Sequence, residues 1–215
     1  MRDSSYQWTS EGGRLVRIGD AAHTYLPTAG NGAVQALEDG TSLAECLRLA
    51  GKGNIGWATK VHNKLRSVSR SETKPMSADR SRESRFERTS ILQQAGFLNR
   101  EELHSVDIEA FAKNPTDPRF ANVGFFKLGR WVWDHDPERY ATDNYEAVLG
   151  SLKKGEPFEN TNVPPGHKYE PWTLESEMAR MAAGIPSKLK QNGYWGTDPS
   201  YFGAQKTQAG AILAN

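Results

Sequence analysis

Apolar positions in this chain change their spacing within a few dozen residues of its start, from strand-like to helical. Arg14-Leu-Val-Arg-Ile18 is an aliphatic, β-branched run that stops at Gly19-Asp20, which predicts a strand delivering an acidic side chain at its carboxyl end. In open α/β sheets that edge is where ligands bind. Ala21, Ala22, Pro27, Ala29, Gly30 and Gly32 then supply small or rigid residues, the composition expected where backbone approaches a flat ligand closely. From Ala33 the spacing becomes Val34, Leu37, Thr41, Ala44 and Leu47, with Leu43 and Ala50 beside the stripe, predicting an amphipathic helix that starts near Gly32. Its first turn would offer unpaired N–H groups and positive dipole charge to an anion or an electron-rich oxygen.

Further along, Trp57–Arg66 has helical composition, whereas Ser67–Arg85 is a Ser/Arg-rich stretch that can bury no face. Phe86–Leu98 resumes a helix through Phe86, Ser90, Leu92 or Gln93, and Phe97. Removing 67–85 would join the two helices into one, so the stretch reads as an insertion or as a disordered loop. Glu101–Lys113 and Val123–Trp133 have helical spacing, the second carrying Phe125, Phe126, Leu128, Trp131 and Val132 as core aromatics and aliphatics. Asp136-Pro137-Glu138 is an N-cap, a first-position proline and an acidic first turn for a helix through Tyr140, Tyr145 and Leu149. Prolines make Asn160–Trp172 extended, Thr173 opens a short helix to about Ala183 with Glu175 and Glu177 near its positive end, and the chain after Gly196 is expected to fray.

Composition narrows the classes. The chain has 215 residues, 37% of them hydrophobic, and a net charge of +1, which excludes a polybasic nucleic-acid binder or an acidic tail. There is neither an apolar run near the length of a membrane span nor a charged-then-apolar leader. A single cysteine, Cys46, excludes an internal disulfide framework and makes a reducing, cytoplasmic setting the expectation. Mean hydropathy of −0.69 is low for a compact α/β enzyme and predicts surface left exposed or meant to be covered. His23 is read as a hydrogen-bonded structural residue, and Glu38 and Asp39, adjacent on a helix and about 100° apart, as solvated or capping groups. Asp134, His135 and Asp136 cannot easily converge on one ion, so no metal site is expected. Gly51-Lys-Gly-Asn-Ile-Gly56 spells G-x-G-x-x-G but follows a helix rather than a strand, which makes it a C-cap and loop.

The block G-D-A-A-H, then P-x-x-G-x-G, then a helix carrying E-D-G, spanning Gly19 to Gly40, resembles the third dinucleotide-binding motif of FAD-dependent aromatic hydroxylases, the p-hydroxybenzoate and salicylate hydroxylase family, in its fungal form. The resemblance implies an α/β fold in which the last strand and helix of a Rossmann-like FAD domain precede a mainly helical carboxyl-terminal region. It implies FAD as cofactor, with NAD(P)H as co-substrate. Asp20, after Gly19, would bind the ribitol; backbone N–H groups at Gly32 and Ala33 would meet the pyrimidine edge; Pro27 and Gly30 would shape the wall beside the ring. The implied activity is hydroxylation of a small aromatic or phenolic substrate through a flavin C4a-hydroperoxide, in secondary metabolism. No catalytic residue can be named. The pyrophosphate turn is not found, so the chain is expected to be truncated, inactive by itself, and completed by a separate amino-terminal half. The alternative is a non-catalytic remnant that binds no cofactor. Residues 1–66 are then the end of the FAD domain, 67–85 an insertion, 86–195 the helical region and 196–215 a frayed tail.

Overall fold

In the computed structural model, which describes residues 8–66, 68–69, 84–85, 87–104, 106–114, 116–117, 128–168 and 170–196, the chain opens with a tight hairpin. Arg17 N–H donates to Trp8 O at 2.7 Å and Ser10 N–H to Leu15 O at 2.8 Å, so residues 14–18 bond only to the segment just before them. Thr9 and Val16 form an isolated antiparallel bridge there, which falls short of the strand expected over Arg14–Ile18. A strand is a property of a pair, and no second neighbour flanks this run among the described residues. The one sheet among them joins Val68–Ser69 (β1) to Ser84–Arg85 (β2), antiparallel, with Val68 opposite Arg85. Of the expected α/β class, the mainly helical carboxyl-terminal region and the helix from Gly32 are found, whereas the strand that would make it α/β is not formed among the described residues. Apart from these two short strands, the expected insertion over 67–85 lies outside the described residues, as do Phe86, residues 123–127 of an expected helix, and the tail beyond 196.

Among the described residues seven α-helices are formed: α1 (Gly32–Ala50), α2 (Ile55–Arg66), α3 (Glu87–His104), α4 (Ile108–Lys113), α5 (Arg130–Trp133), α6 (Pro137–Lys154) and α7 (Leu174–Ala182). Local chemistry sets several of their ends. Gly51 closes α1 by donating its N–H to Leu47 O at 3.1 Å, Lys52–Asn54 makes a 3-10 turn and Ile55 opens α2, so the Gly51–Gly56 run caps one helix and enters the next where a cap and loop was expected. Asp136 Oδ1 accepts the Arg139 N–H at 3.0 Å, with Pro137 in the first helical position of α6. Asp134 turns instead to Arg130 at 2.8 Å and His135 to Asn162 at 3.0 Å, so these three neighbouring side chains diverge. Thr173 and Ser176 cap α7 reciprocally, a box that satisfies two otherwise unpaired donors.

Two expected helices are redrawn. The Glu101–Lys113 segment is broken, because α3 runs on to His104 and Asp107 then starts α4 afresh by accepting the Ala110 N–H at 3.0 Å. Val123–Trp133 is helical only from Arg130 within the described part. Gly129, at φ 78°, precedes it in a conformation that ends helical continuity, and a side chain there would collide with the Trp195 carbonyl.

The helices pack around two apolar centres. α1, α2 and α6 enclose Cys46, Ala58, Val61, Leu65, Ala141, Tyr145 and Val148. Tyr25 and Ala29 from the turn before α1 meet Ile91, Leu92 and Ala95 of α3, with Leu128, Val132, Leu189 and Trp195 closing the second centre. Burial of the Cys46 thiol in the first pushes its pKa up to about 12, so it behaves as a small apolar side chain.

The orientation of α1 reverses what its spacing implies. Its apolar stripe points outward: Leu37 is 72% exposed, and Thr41 and Ala44 are exposed with it. Gln35, Glu38, Asp39, Ser42, Glu45 and Cys46 face inward instead. These positions share the same three-to-four spacing, so the period is right and the phase is not. Glu38 and Asp39, expected to be solvated or to cap neighbouring structure, are only 5% and 0% exposed, which excludes the first, while Asp39 does accept the Gly19 N–H at 2.8 Å. The interior reverses the usual preference because it offers guanidinium groups to both carboxylates.

Candidate functional site

Gly19–Ala21 forms a 3-10 turn and Pro27–Ala29 a second, and between them they carry the chain to the start of α1. Gly19 sits at φ 56°, a left-handed conformation that lets the chain reverse, and its carbonyl accepts the Ala22 and His23 N–H groups at 2.9 Å. The first turn is fixed from below by α1. Asp39 Oδ2 accepts the Gly19 N–H at 2.8 Å and the His23 Nε2–H at 2.6 Å. His23 is buried, with its ring stacked obliquely between Trp8 and Tyr25 at centroid distances of 5.0 and 5.1 Å. It is a structural hydrogen-bonding residue.

Asp20, one residue on from the anchored Gly19, is exposed. A Cβ built on Gly32 would lie 4.0 Å from Asp20 Oδ1, so the carboxylate and the first residue of α1 are neighbours. Gly30, at φ 64°, ends the second turn. Asn31 is buried and donates its amide back to Ala29 O at 2.9 Å, and it makes no side-chain cap to α1. The N–H groups of the first turn of α1, at Gly32 and Ala33, are therefore left without a side-chain cap. The structure places Asp20, Pro27, Gly30 and Ala33 on exposed backbone, Gly32 half-buried beside Asp20, and Gly19 buried beneath them.

α3 clamps the same turn from the other side. Gln93 Nε2–H donates to Thr24 O at 2.8 Å, Thr28 Oγ1–H to Gly96 O at 2.8 Å, and Asn99 Nδ2–H to Thr28 O at 3.0 Å. Gly96 makes the approach possible, since a Cβ there would meet Ala29 Cβ at 3.0 Å and Leu26 Cβ at 3.4 Å. Gly96→Ala gains about 1 kcal/mol of helix propensity but overpacks a backbone-anchored contact at a cost of about 1–3 kcal/mol. A net loss of about 1 kcal/mol is expected in urea unfolding, and a stabilised variant would show that the turn is free to move off α3.

Below the turn lies a buried charge network. Arg66, the last residue of α2, donates to Glu38 Oε2 at 2.9 Å and to Gln35 Oε1 at 3.0 Å, and its Nε lies 2.8 Å from Asp39 Oδ1 as a charge contact without hydrogen-bond alignment. Arg88, near the start of α3, grips both oxygens of Glu38 at 2.7 and 3.0 Å. Its guanidinium also packs 5.0 Å from the Trp131 ring. Burial by itself would raise both carboxyl groups. Arg88 and then Arg66 outweigh it at Glu38, Arg66 and then His23 outweigh it at Asp39, and each is held down to about 2. Arg66 is correspondingly raised by Asp39 and Glu38 against its own burial. His62, fully buried with Nδ1 3.2 Å from Ser42 Oγ, is pushed down to about 4 by burial.

Asp20 and Gly32 thus lie together at the start of α1, with Gly19 buried beneath and Pro27, Gly30 and Ala33 exposed along the same turn. Asp39, Arg66, Arg88, Gln93 and Asn99 hold it, and sequence reading did not find them. An available signal was arginine at the end of one apolar helix and at the start of the next, near an acidic pair that fell within a helical repeat. The donor set suits a flat, electron-rich group: helix N–H groups for a carbonyl edge, a carboxylate for a hydroxyl, and small residues on the approach.

No family model matches the chain. It is 42% identical over 197 residues to "FAD-dependent monooxygenase fsr3" of Gibberella fujikuroi, covering 91% of this chain and 33% of the relative. It is 35% identical to "FAD-dependent monooxygenase mdpD" of Emericella nidulans, covering 90% and 33%. The chain therefore spans about a third of the length of the curated relatives it matches. Among solved structures it is similar to FqzB at 32% identity and a TM-score of 0.51, covering 74% of this chain and 31% of that one. It is similar also to CtdE in complex with FAD and substrate 4, at 27% identity and a TM-score of 0.51, covering 69% and 29%.

Proposed function

We propose, on the premise that this chain belongs to the FAD-dependent monooxygenase family over about a third of its relatives' length, that Gly19–Ala33 is the surface on which the flavin edge of FAD rests. The observation that carries this reading is the convergence of Asp20 Oδ1 on Gly32 at the uncapped start of α1. Asp20 holds a ribitol hydroxyl, the Gly32 and Ala33 N–H groups hold the carbonyl edge of the pyrimidine, Gly19 sets the turn, and Pro27 with Gly30 forms the wall beside the ring. Bound FAD would supply acceptance of hydride from NAD(P)H and activation of oxygen, and the whole protein would hydroxylate a small aromatic or phenolic substrate. The chain's own residues bind and orient. Asp39 and His23 lock the turn below, while Gln93, Gly96 and Asn99 lock it from α3.

In this reading the pyrophosphate-binding half of the site comes from another polypeptide segment, a separate amino-terminal half. Its Rossmann-like sheet adds Arg14–Ile18 as an edge strand and lies over the outward stripe of α1. Leu37, Leu15 and Ile18, at 72%, 63% and 37% exposure, support this, because they present apolar surface to solvent. The same reading places residues 1–66 at the end of the FAD domain, 67–85 as an insertion, 86–195 as the helical region and 196–215 as a tail, in a cytoplasmic protein. No helix among the described residues is long and apolar enough to cross a membrane.

The test is FAD retention through gel filtration, followed by visible flavin absorbance. The chain alone is expected to elute colourless, and its mixture with the amino-terminal half of a relative to elute yellow. Asp20→Ala should weaken FAD binding to that mixture by about tenfold or more, the loss of one charge-assisted hydrogen bond. A colourless mixture would favour the alternative of a remnant that binds no cofactor.

A further inference from the structure

α3, whose Gln93 and Asn99 hold the turn before α1, also walls a concave feature. It is a cleft of about 500 Å³ bounded by α3, α7, the extended segment through Trp172 and the loop 185–192. That volume is in the range of small-molecule sites. Its walls are fixed by specific bonds. The Asn192 amide pairs with the Lys168 backbone in both directions, accepting its N–H at 2.8 Å and donating to its carbonyl at 2.6 Å. The His167 Nδ1–H donates to Asn192 O at 3.0 Å. Gly193 permits this, since a Cβ on it would lie 2.9 Å from His167 N. Across the cleft, Trp172 Nε1–H donates to Ser90 Oγ at 2.9 Å and its ring meets the edge of Phe97 at 5.8 Å. Arg180 is tied to Glu177 at 2.7 Å and Glu101 at 2.6 Å.

The lining sorts into two kinds. Ile91, Pro171, Trp172, Pro186 and Leu189 give an apolar body with flat faces. The Arg180 charge is already matched by two carboxylates, which leaves Lys168, Lys188 and Glu170 as the exposed, unmatched charges at the rim. Two cations against one carboxylate leave a net charge of +1 at the rim, which a single negative charge neutralises. We infer that this preformed cleft binds a flat, apolar organic monoanion, a carboxylate or sulfonate, with its ring system against Trp172 and its charge at Lys168 and Lys188. The assignment is independent of FAD, so it stands or falls separately from the flavin reading.

The probe is 1-anilinonaphthalene-8-sulfonate, added to the chain as expressed, with uncharged N-phenyl-1-naphthylamine as its shape-matched control. Saturable one-to-one fluorescence enhancement is expected with the sulfonate. Lys168→Glu combined with Lys188→Glu, two exposed positions, should weaken it about tenfold and leave the neutral probe unchanged. Leu37→Lys reports on the competing apolar face of α1. Abolition of sulfonate binding by Leu37→Lys, insensitivity to the double charge reversal, or equal loss of both probes would each overturn the assignment. So would displacement of the probe by AMP, a dianion, at lower concentration than by 2-naphthoate.

Discussion

Arg66→Met is expected to lower the unfolding free energy by about 3–5 kcal/mol, a large fraction of the about 5–15 kcal/mol ordinary for a folded domain. Methionine fills much of the space but leaves Asp39 with only His23 and the Gly19 N–H, and leaves Glu38 with Arg88 and the Gln35 amide. The cost is that of an uncompensated buried charge. Arg66 donates along two directions and contacts Asp39 along a third, so Arg66→Lys, a single point charge, should fall between wild type and methionine. Urea unfolding followed by circular dichroism gives the magnitude. Adding Asp39→Asn to Arg66→Met should restore part of the loss, because it removes the stranded charge. A double variant less stable than the single one would mean that packing around Arg66 matters more than charge.

Acid should unfold the chain in two stages. His62 is held neutral, its pKa brought from 6.5 to about 4 by burial. Its folded pKa lies below the unfolded one, so the unfolded state binds the proton first and stability falls as pH drops from about 6.5 to about 4. At about 1.4 kcal/mol per unit, this one fully buried group contributes about 3 kcal/mol over that window. His135, pushed down to about 4 by burial and then by Arg88, acts in the same direction. Glu38 and Asp39 act lower. Their pKa values fall from 4.5 and 3.8 to about 2, so their contribution is complete above about 4 and is lost as pH falls toward 2. Thermal melts between pH 7 and 3 should show a decline beginning near 6.5 that His62→Gln flattens. A melting temperature constant down to pH 4.5 would rule out burial of a neutral His62.

What could be read in advance was what depends on neighbours in sequence. The caps at Asp136 and Thr173 use side chains a few residues from the groups they satisfy, and Asp20 and Gly32, a dozen positions apart in the chain, do come together at the start of α1. The helical period of α1 was legible too. Its phase was not, because the groups that draw Glu38 and Asp39 inward come from α2 and α3. Arg14–Ile18 failed as a strand for a related reason: alternation and branching suit the pleat, but pairing needs a partner, and only the Trp8–Ser10 arm supplies one. Gln93 is open between the packed and polar faces of its expected helix, and Asn99 lies beyond that helix, because their partners at Thr24 and Thr28 are 69 and 71 residues away in the chain.

The reversed face of α1 also governs how that helix can err. An apolar interior face tolerates rolling, since one aliphatic contact replaces another at little cost. Here a roll of about 100° would bring Leu37 inward and carry Asp39 away from Gly19, His23 and Arg66 together. The carboxylates therefore act as an indexing pin for the rotational setting of α1. That setting determines where its first N–H groups point relative to Asp20.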